Sequence, residues 1–380
     1  MLNNITIQGF KCIDQESIDI APLTILTGIN SSGKSTVIQA ILLTCRMAVP
    51  ANRYSLQEIT TPYSNVREVR NKIKNSQSIN INLNLTGCDK IESLGLSILD
   101  IDESLRFTGR IHLTKNQTME DAQNNSFNHP PAMFLYENID ETFFDEAACE
   151  LFYLNANRIG PQDIAPISET KVGNSGENIF GYFNEIQAKP LADELVNFPE
   201  SKTLSYQVGQ WISYITETQT ELKTHEISPG QVSVKFDTEG LSDISASNLG
   251  AGMSYVSKII ILCLIAKKKD LVIIENPEIH LHPKSQSRLG EFFTFISNAG
   301  INLIIETHCE HIINKIRYDV YKKKISNKNI IIQYKSSIND NFQPIYLDSN
   351  GKYRSSENKN IIFPTGFFDS SLHSLIEMGG

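Results

Sequence analysis

An α/β fold is predicted for this chain by three observations. A glycine-rich turn sits between a short apolar strand and an apolar helix, a second aliphatic strand ends on a carboxylate, and several segments alternate strictly between apolar and polar residues. The first is the most specific. Gly28-Ile29-Asn30-Ser31-Ser32-Gly33-Lys34-Ser35-Thr36 satisfies Gly-x-x-x-x-Gly-Lys-Ser at every position. Leu23-Thr24-Ile25-Leu26-Thr27 before it reads as a buried strand, and the apolar run Thr36 to Leu43 after it reads as a packed helix. Strand, glycine-rich turn and helix make a P-loop unit, whose backbone N–H groups and helix N-terminus form a nest for phosphate. In that unit Asn30, Ser31, Ser32, Gly33 and Thr36 line the cradle. Lys34 is expected to reach the β- and γ-phosphate oxygens and the Ser35 hydroxyl to bind Mg²⁺, which makes ATP with Mg²⁺ the expected ligand pair.

Composition bounds the rest. The chain has 380 residues, enough for one large α/β domain with insertions or for two domains. Its 40% apolar and 20% charged content is that of an ordinary globular protein. No apolar run approaches the roughly 18 residues needed to span a bilayer, and no secretory signal is visible at Met1 to Ile5. Six scattered cysteines without Cys-x-x-Cys spacing suit a reducing cytoplasm better than a disulfide frame. The net charge of −9 argues against a surface that is wholly a nucleic-acid footprint. Lys267-Lys268-Lys269 and Lys322-Lys323-Lys324 read as solvated helix ends.

Each element then follows from local pattern. Ile5 to Ile13 and Ile18-Asp19-Ile20 read as edge strands framing the nucleotide, and residues 52–75 as an irregular or helical excursion. Ile79 to Leu85 alternates apolar residues with asparagine, the period of a half-buried antiparallel strand, and Leu105 to Leu113 is a second. Residues 115–131 form a polar loop. Phe152-Tyr153-Leu154 is strand-like and closes this antiparallel insertion, leading into a turn in which Arg158 stands out among small polar residues. A helical pattern covers about Pro190 to Thr220 and includes the one tryptophan, Trp211. A strand pair flanks Pro229-Gly230. A turn at Ser247 to Gly252, a helix to Lys267, the strand Leu271 to Ile274, a helix over Ser285 to Asn298 and the strand Asn302 to Ile305 complete the order.

Leu271-Val272-Ile273-Ile274-Glu275 is a buried strand that delivers a carboxylate to a sheet edge, where it can hold Mg²⁺ opposite Ser35. Asn276 stands where many P-loop ATPases carry a water-polarising glutamate, so that role lies between Glu278 and Glu275. A divalent ion keeps a neighbouring carboxylate charged, which favours Glu275 for the metal and Glu278 for orienting the water. His280, His282, His308 and His311 could be combined into a zinc site, but that spacing is unspecific. His308, directly after a buried strand, is better suited to contact a γ-phosphate, and His280 and His282 to shape a turn.

Gly28 to Thr36, Glu275-Asn276-Pro277-Glu278 with His282-Pro283, Thr307-His308 and Phe10-Lys11 resemble the ABC-type ATPases of the SMC, RecF and OLD-nuclease group. Arg158-Ile159-Gly160-Pro161, Gly176-Glu177-Asn178, Ser247 to Gly252 and Phe363 to Asp369 resemble, more narrowly, a bacterial OLD-like subgroup with a short C-terminal domain. The resemblance implies an ABC-type P-loop ATPase head with an antiparallel β insertion and a helical subdomain. It divides the chain into an N-terminal lobe (1–50), the insertion (51–160), a helical arm and hairpin (161–240), a C-terminal lobe (241–335) and a tail (336–380). It also implies a head-to-tail dimer or higher even oligomer, in which Ser247 and Gly250, at a helix N-terminus, present donors to the γ-phosphate of a nucleotide bound by another protomer. The segment departs from the usual Leu-Ser-Gly-Gly signature. OLD nucleases continue into a Toprim domain, whereas here about seventy residues follow His311 and contain no Asp-x-Asp pair. A separate effector, a nuclease or other toxin, is therefore expected to supply any such output, with anti-phage defence as the family-level setting. The rival expectation is an SMC- or RecF-like ATPase that closes on DNA, and a third is a nucleotide-binding scaffold with little turnover. A membrane transporter fits least.

Overall fold

A computed structural model describes residues 1–47, 69–86, 93–99, 108–114, 150–173 and 175–364. The described chain begins β1 (Leu2–Phe10), β2 (Ile13–Asp19), β3 (Leu23–Gly28), α1 (Lys34–Met47), β4 (Ser78–Leu85), β5 (Ser93–Leu99), β6 (Thr108–Thr114). It continues β7 (Leu151–Leu154), β8 (Ile164–Pro166), α2 (Ile179–Ile186), α3 (Leu204–Thr216), β9 (Thr220–Ser228), β10 (Gln231–Thr238), β11 (Leu241–Ser245), α4 (Ala251–Ile265). The last part is β12 (Leu271–Glu275), α5 (Pro283–Asn298), β13 (Asn302–Glu306), α6 (Glu310–Tyr321), β14 (Ile330–Lys335), β15 (Gln343–Leu347), β16 (Tyr353–Arg354). These elements form two compact units, one of Met1–Ala21, Thr27–Ala148 and Gln333–Pro344, the other of Pro22–Leu26, Cys149–Ile332 and Ile345–Gly380.

The first unit is built on an antiparallel sheet of order β2-β1-β4-β5-β6. Alternation explains its one-sided burial. Ile79, Ile81 and Leu83 of β4 are buried while the intervening asparagines are half-exposed and hydrogen-bond across the strands, as Asn84 does to Asn4 and Asn80 to Gln8. Helix α1 lies against β1, β4 and β5 through Val37, Ile38 and Ile41, all fully buried.

The second unit holds most of a sheet of order β16-β15-β14-β3-β13-β12-β7. β3, β13, β12 and β7 run parallel in unbroken register, with Leu26 opposite Glu306 and Glu306 opposite Glu275. A parallel sheet covered on both faces selects continuous aliphatic runs, and β3 and β13 are buried at every position. Helix α4 is largely apolar and buried from Val256 to Leu264, with Lys258 buried too and donating to the Ile159 carbonyl at 3.1 Å. Trp211 of α3 meets Phe292 and Phe295 of α5 with ring centroids 4.9 and 5.2 Å apart. A smaller antiparallel sheet joins β8, β9 and β11 to β10.

Several local expectations change. β1 is an interior strand because β4 pairs with its second edge. β7, read as the end of the antiparallel insertion, instead pairs parallel with β12, from Leu151 opposite Leu271 to Leu154 opposite Ile274. The helical stretch from Pro190 is a single 3₁₀ turn at Asp193–Leu195 before α3. Most of residues 52–75, the loop at 115–131, residues 105–107 and the C-terminal motif beyond Pro364 lie outside the described residues.

Candidate functional site

In the first unit the glycine-rich loop is closed by its own backbone. Gly28 and Gly33 take φ of 131° and 110°, and Ser31 takes 59°. A Cβ on Gly28 would lie 2.1 Å from the Lys335 carbonyl oxygen and one on Gly33 2.4 Å from the Cys12 sulfur, so both positions require glycine on conformation and on space. Lys34, only 3% exposed, turns its ammonium into the loop, donating to the carbonyls of Ile29 at 2.6 Å and Gly28 at 3.3 Å. The Ser32 hydroxyl is buried with no hydrogen-bond partner among the described residues. A buried donor of that kind is costly unless something supplies an acceptor. Asn30 to Thr36 are thus together in one cradle, and Lys34, Ser35 and Thr36 open α1. Beside it a cavity of about 210 Å³ is lined by Cys12, Glu16, Lys335 and Asn341 among others.

In the second unit the parallel register sets the ends of β12 and β13 side by side. Glu275 is 8% exposed, with Oε1 accepting from the Tyr153 hydroxyl and Oε2 from the Ala156 N–H, both at 3.0 Å. Burial pushes its carboxyl above the ordinary range, a shift opposed by those two hydrogen bonds and by the Arg158 guanidinium. The backbone then turns sharply. Asn276 takes φ of 44° while its N–H donates to the Glu306 carbonyl at 2.7 Å, and His280 takes φ of 62°. This turn places Glu278 against the segment after β13, where Oε2 accepts from the Thr307 hydroxyl at 2.7 Å and Oε1 from the His308 N–H at 3.1 Å. Glu275, Glu278 and His308 are therefore gathered at one sheet edge. It is the backbone of His308 that holds Glu278, and its imidazole is exposed. Of the other histidines weighed together with it, His282 caps α5 by accepting from Lys284 N–H, His280 stacks on Tyr255 at 5.4 Å, and His311 lies in α6.

Ser247 and Gly250 lie together at the start of α4, in the same unit. Ser247 is exposed in a 3₁₀ turn, and both its donors go to one carboxylate, N–H to Asp163 Oδ1 at 2.8 Å and Oγ to Asp163 Oδ2 at 2.6 Å. Gly250 caps the helix with an ordinary φ of −58°, and a Cβ there would meet nothing among the described residues within 4 Å. Gly252 differs, since its Cβ would lie 2.4 Å from the His280 carbonyl oxygen. Sequence reasoning gave no site role to Tyr153 and Asp163, and named Thr307 only as part of the Thr307-His308 pair. Thr307 alone had a local signal, standing beside His308 at the end of a buried strand.

Three comparisons bear on this geometry. A family described as "AAA domain, putative AbiEii toxin, Type IV TA system" matches residues 23–314. No curated protein matches the chain. Among solved structures, an SMC head bound to the C-winged helix domain of ScpA is similar with a TM-score of 0.52 at 11% identity, over 91% of this chain and 98% of that one. An Smc head with an extended coiled coil, bound to the C-terminal domain of ScpA derived from Pyrococcus furiosus, gives 0.51 at 10% identity, over 100% and 99%. The mixed α/β fold is thus that of an SMC-type, ABC-like ATPase head. The family match spans the strand before the glycine-rich loop, the carboxylate turn and the start of α6, and the chain belongs to this AAA-domain family of P-loop ATPases.

Proposed function

We propose that this chain binds ATP with Mg²⁺ and hydrolyses it in a head-to-tail dimer, and that the nucleotide state controls a separate effector. The observation that carries the reading is the pair of carboxylates, Glu275 and Glu278, that the β12 turn fixes at the C-terminal ends of parallel strands. β3 belongs to that parallel set and continues directly into the glycine-rich loop. The loop suits a polyphosphate, with two positions only glycine can fill, an inward lysine and a buried hydroxyl that lacks an acceptor among the described residues. Ser35 and Glu275 would hold Mg²⁺, since each Glu275 oxygen keeps a further lone pair beyond its present hydrogen bond. When bound, Mg²⁺ supplies neutralisation of charge on the phosphoryl oxygens. Glu278 orients the attacking water, Lys34 binds the β- and γ-phosphates, and His308 stands at the γ-phosphate side.

Gly250 supports the dimer. A Cβ there would meet nothing among the described residues within 4 Å, so the start of α4 is open to close approach by another molecule, and a second copy's nucleotide is the occupant we assign. No helix among the described residues is long and apolar enough to cross a membrane, which fits a cytoplasmic effector system better than transport. The family's description points to a toxin context and the OLD-like motifs to anti-phage defence, with a nuclease or other toxin as effector. The similar SMC heads were solved with a protein domain bound, which favours a protein partner. Lys34→Ala should abolish ATP hydrolysis while the chain stays folded, and full turnover in that variant would sink the reading. The SMC-like fold favours one second reading, an ATPase that closes on DNA. It predicts ATP-dependent retardation of duplex DNA that weakens steeply with salt.

A further inference from the structure

Arg158 is a cation the sequence reading noticed without giving it a role. It follows β7 by four residues and is 3% exposed. Its Nη2 donates to two consecutive carbonyl oxygens, those of Glu275 at 3.2 Å and Asn276 at 2.5 Å. The guanidinium carbon lies 5.2 Å from the centre of the Tyr255 ring, which stacks on His280 at the far end of the same turn. Nε and Nη1 have no hydrogen-bond partner among the described residues. Burial drags its pKa down to about 10. A buried, half-satisfied guanidinium is a poor way to fill space, because an apolar side chain would do so without desolvating a charge. What it does that a hydrocarbon cannot is grip two successive carbonyls where the backbone enters the left-handed region at Asn276. Glu278 hangs from that turn two residues later, and nothing else described bonds both carbonyls at once.

We propose that Arg158 is a positioning residue for hydrolysis: it pins the Glu275-Asn276 backbone, with Tyr255 and His280 as its brace, so that the Glu278 carboxylate is aimed at the attacking water. It acts through Glu278. The inference rests on the ATPase reading above. The test is a double-mutant cycle on the full chain, measuring kcat, KM and ATP affinity. Arg158→Lys keeps the charge, but its shorter side chain ends before the position of Nη2 and has no planar group to lie against Tyr255. It should lower kcat about tenfold or more with ATP affinity within about twofold, and in a Glu278→Gln background it should cost less than about twofold further, as residues acting as one unit do. An unchanged kcat in Arg158→Lys, an equal loss in both backgrounds, or a loss of ATP affinity parallel to kcat would each overturn the proposal. Wild-type turnover that Lys34→Ala abolishes shows that the ATPase reading stands, so those outcomes then count against the Arg158 assignment alone. Wild-type protein without turnover sinks both.

Discussion

Replacing Glu278 by glutamine separates the chemistry of this turn from its architecture. The two carboxylate oxygens accept from the Thr307 hydroxyl at 2.7 Å and the His308 N–H at 3.1 Å. Glutamine has nearly the same shape. Its carbonyl can keep the His308 N–H, and its amide can donate to Thr307, because a hydroxyl can reverse its role and a backbone N–H cannot. The charged acceptor is lost from both bonds, roughly the difference between about 2 and about 1 kcal/mol for one bond that matters. Stability should therefore fall by about 1 kcal/mol, a melting shift of about 1–2 °C at this size. The chemical loss is larger. A misplaced or missing general base costs about 10²-fold at the low end, or about 2.7 kcal/mol of barrier. Steady-state ATPase assays should show kcat reduced about a hundredfold. Fluorescent-nucleotide titration should show ATP binding retained, and size-exclusion chromatography should show the closed dimer accumulating. Glu275→Gln should instead weaken the Mg²⁺ dependence. If Glu278→Gln turns over normally and Glu275→Gln alone traps the dimer, the two roles are reversed.

Three further outcomes follow from individual contacts. Gly250→Val should leave melting within about 0.5 kcal/mol of wild type, because its side chain enters open space, yet abolish ATP-driven dimerisation measured by light scattering; a normal dimer would refute the trans role. Asp163→Ala should lower the ATP concentration at which dimers form, since that carboxylate now occupies both Ser247 donors, and an unchanged midpoint would count against it. Glu291 gives a pH signature: burial raises its pKa, but hydrogen bonds from Lys315, Lys324 and Tyr214 outweigh this and bring it from 4.5 to about 2. A depressed carboxylate stabilises the fold above its unfolded pKa and loses that contribution as pH falls through the folded one. Glu291→Gln should thus cost about 3 kcal/mol at pH 7 and progressively less between pH 4.5 and 2, read by denaturant unfolding of Trp211, which packs on the same helix. A cost independent of pH would refute the assignment.

The parts of the fold legible in the sequence are those where one strand's own periodicity fixes its environment. Ile79 to Leu85 alternates and is buried on alternate positions, and the aliphatic runs of β3 and β13 are buried throughout, that of β12 from Val272 onward. What periodicity does not carry is the partner. Phe152-Tyr153-Leu154 looks the same in either kind of sheet, and only the fold reveals that it lies parallel to β12. The short helix Ile179–Ile186 was missed because an eight-residue segment gives barely two turns of pattern.

The same distinction divides the site. The phosphate loop is contiguous: its cradle, lysine and hydroxyls lie within nine residues, so a spacing rule captures the chemistry. The carboxylate turn is assembled from afar. Glu275 meets Tyr153 across 122 residues and Ala156 across 119, Arg158 grips Asn276 across 118, and Ser247 meets Asp163 across 84. All these distant partners come from β7 and the segment after it, so a pairing the sequence left undetermined is also one that completes the site. Once β7 is placed beside β12, Ala156 and Arg158 must emerge next to residues 275 and 276, because parallel strands in register deliver their C-terminal ends to the same edge. The conspicuous arginine was therefore visible in the sequence, whereas its role depended on a strand pairing that period and spacing do not encode.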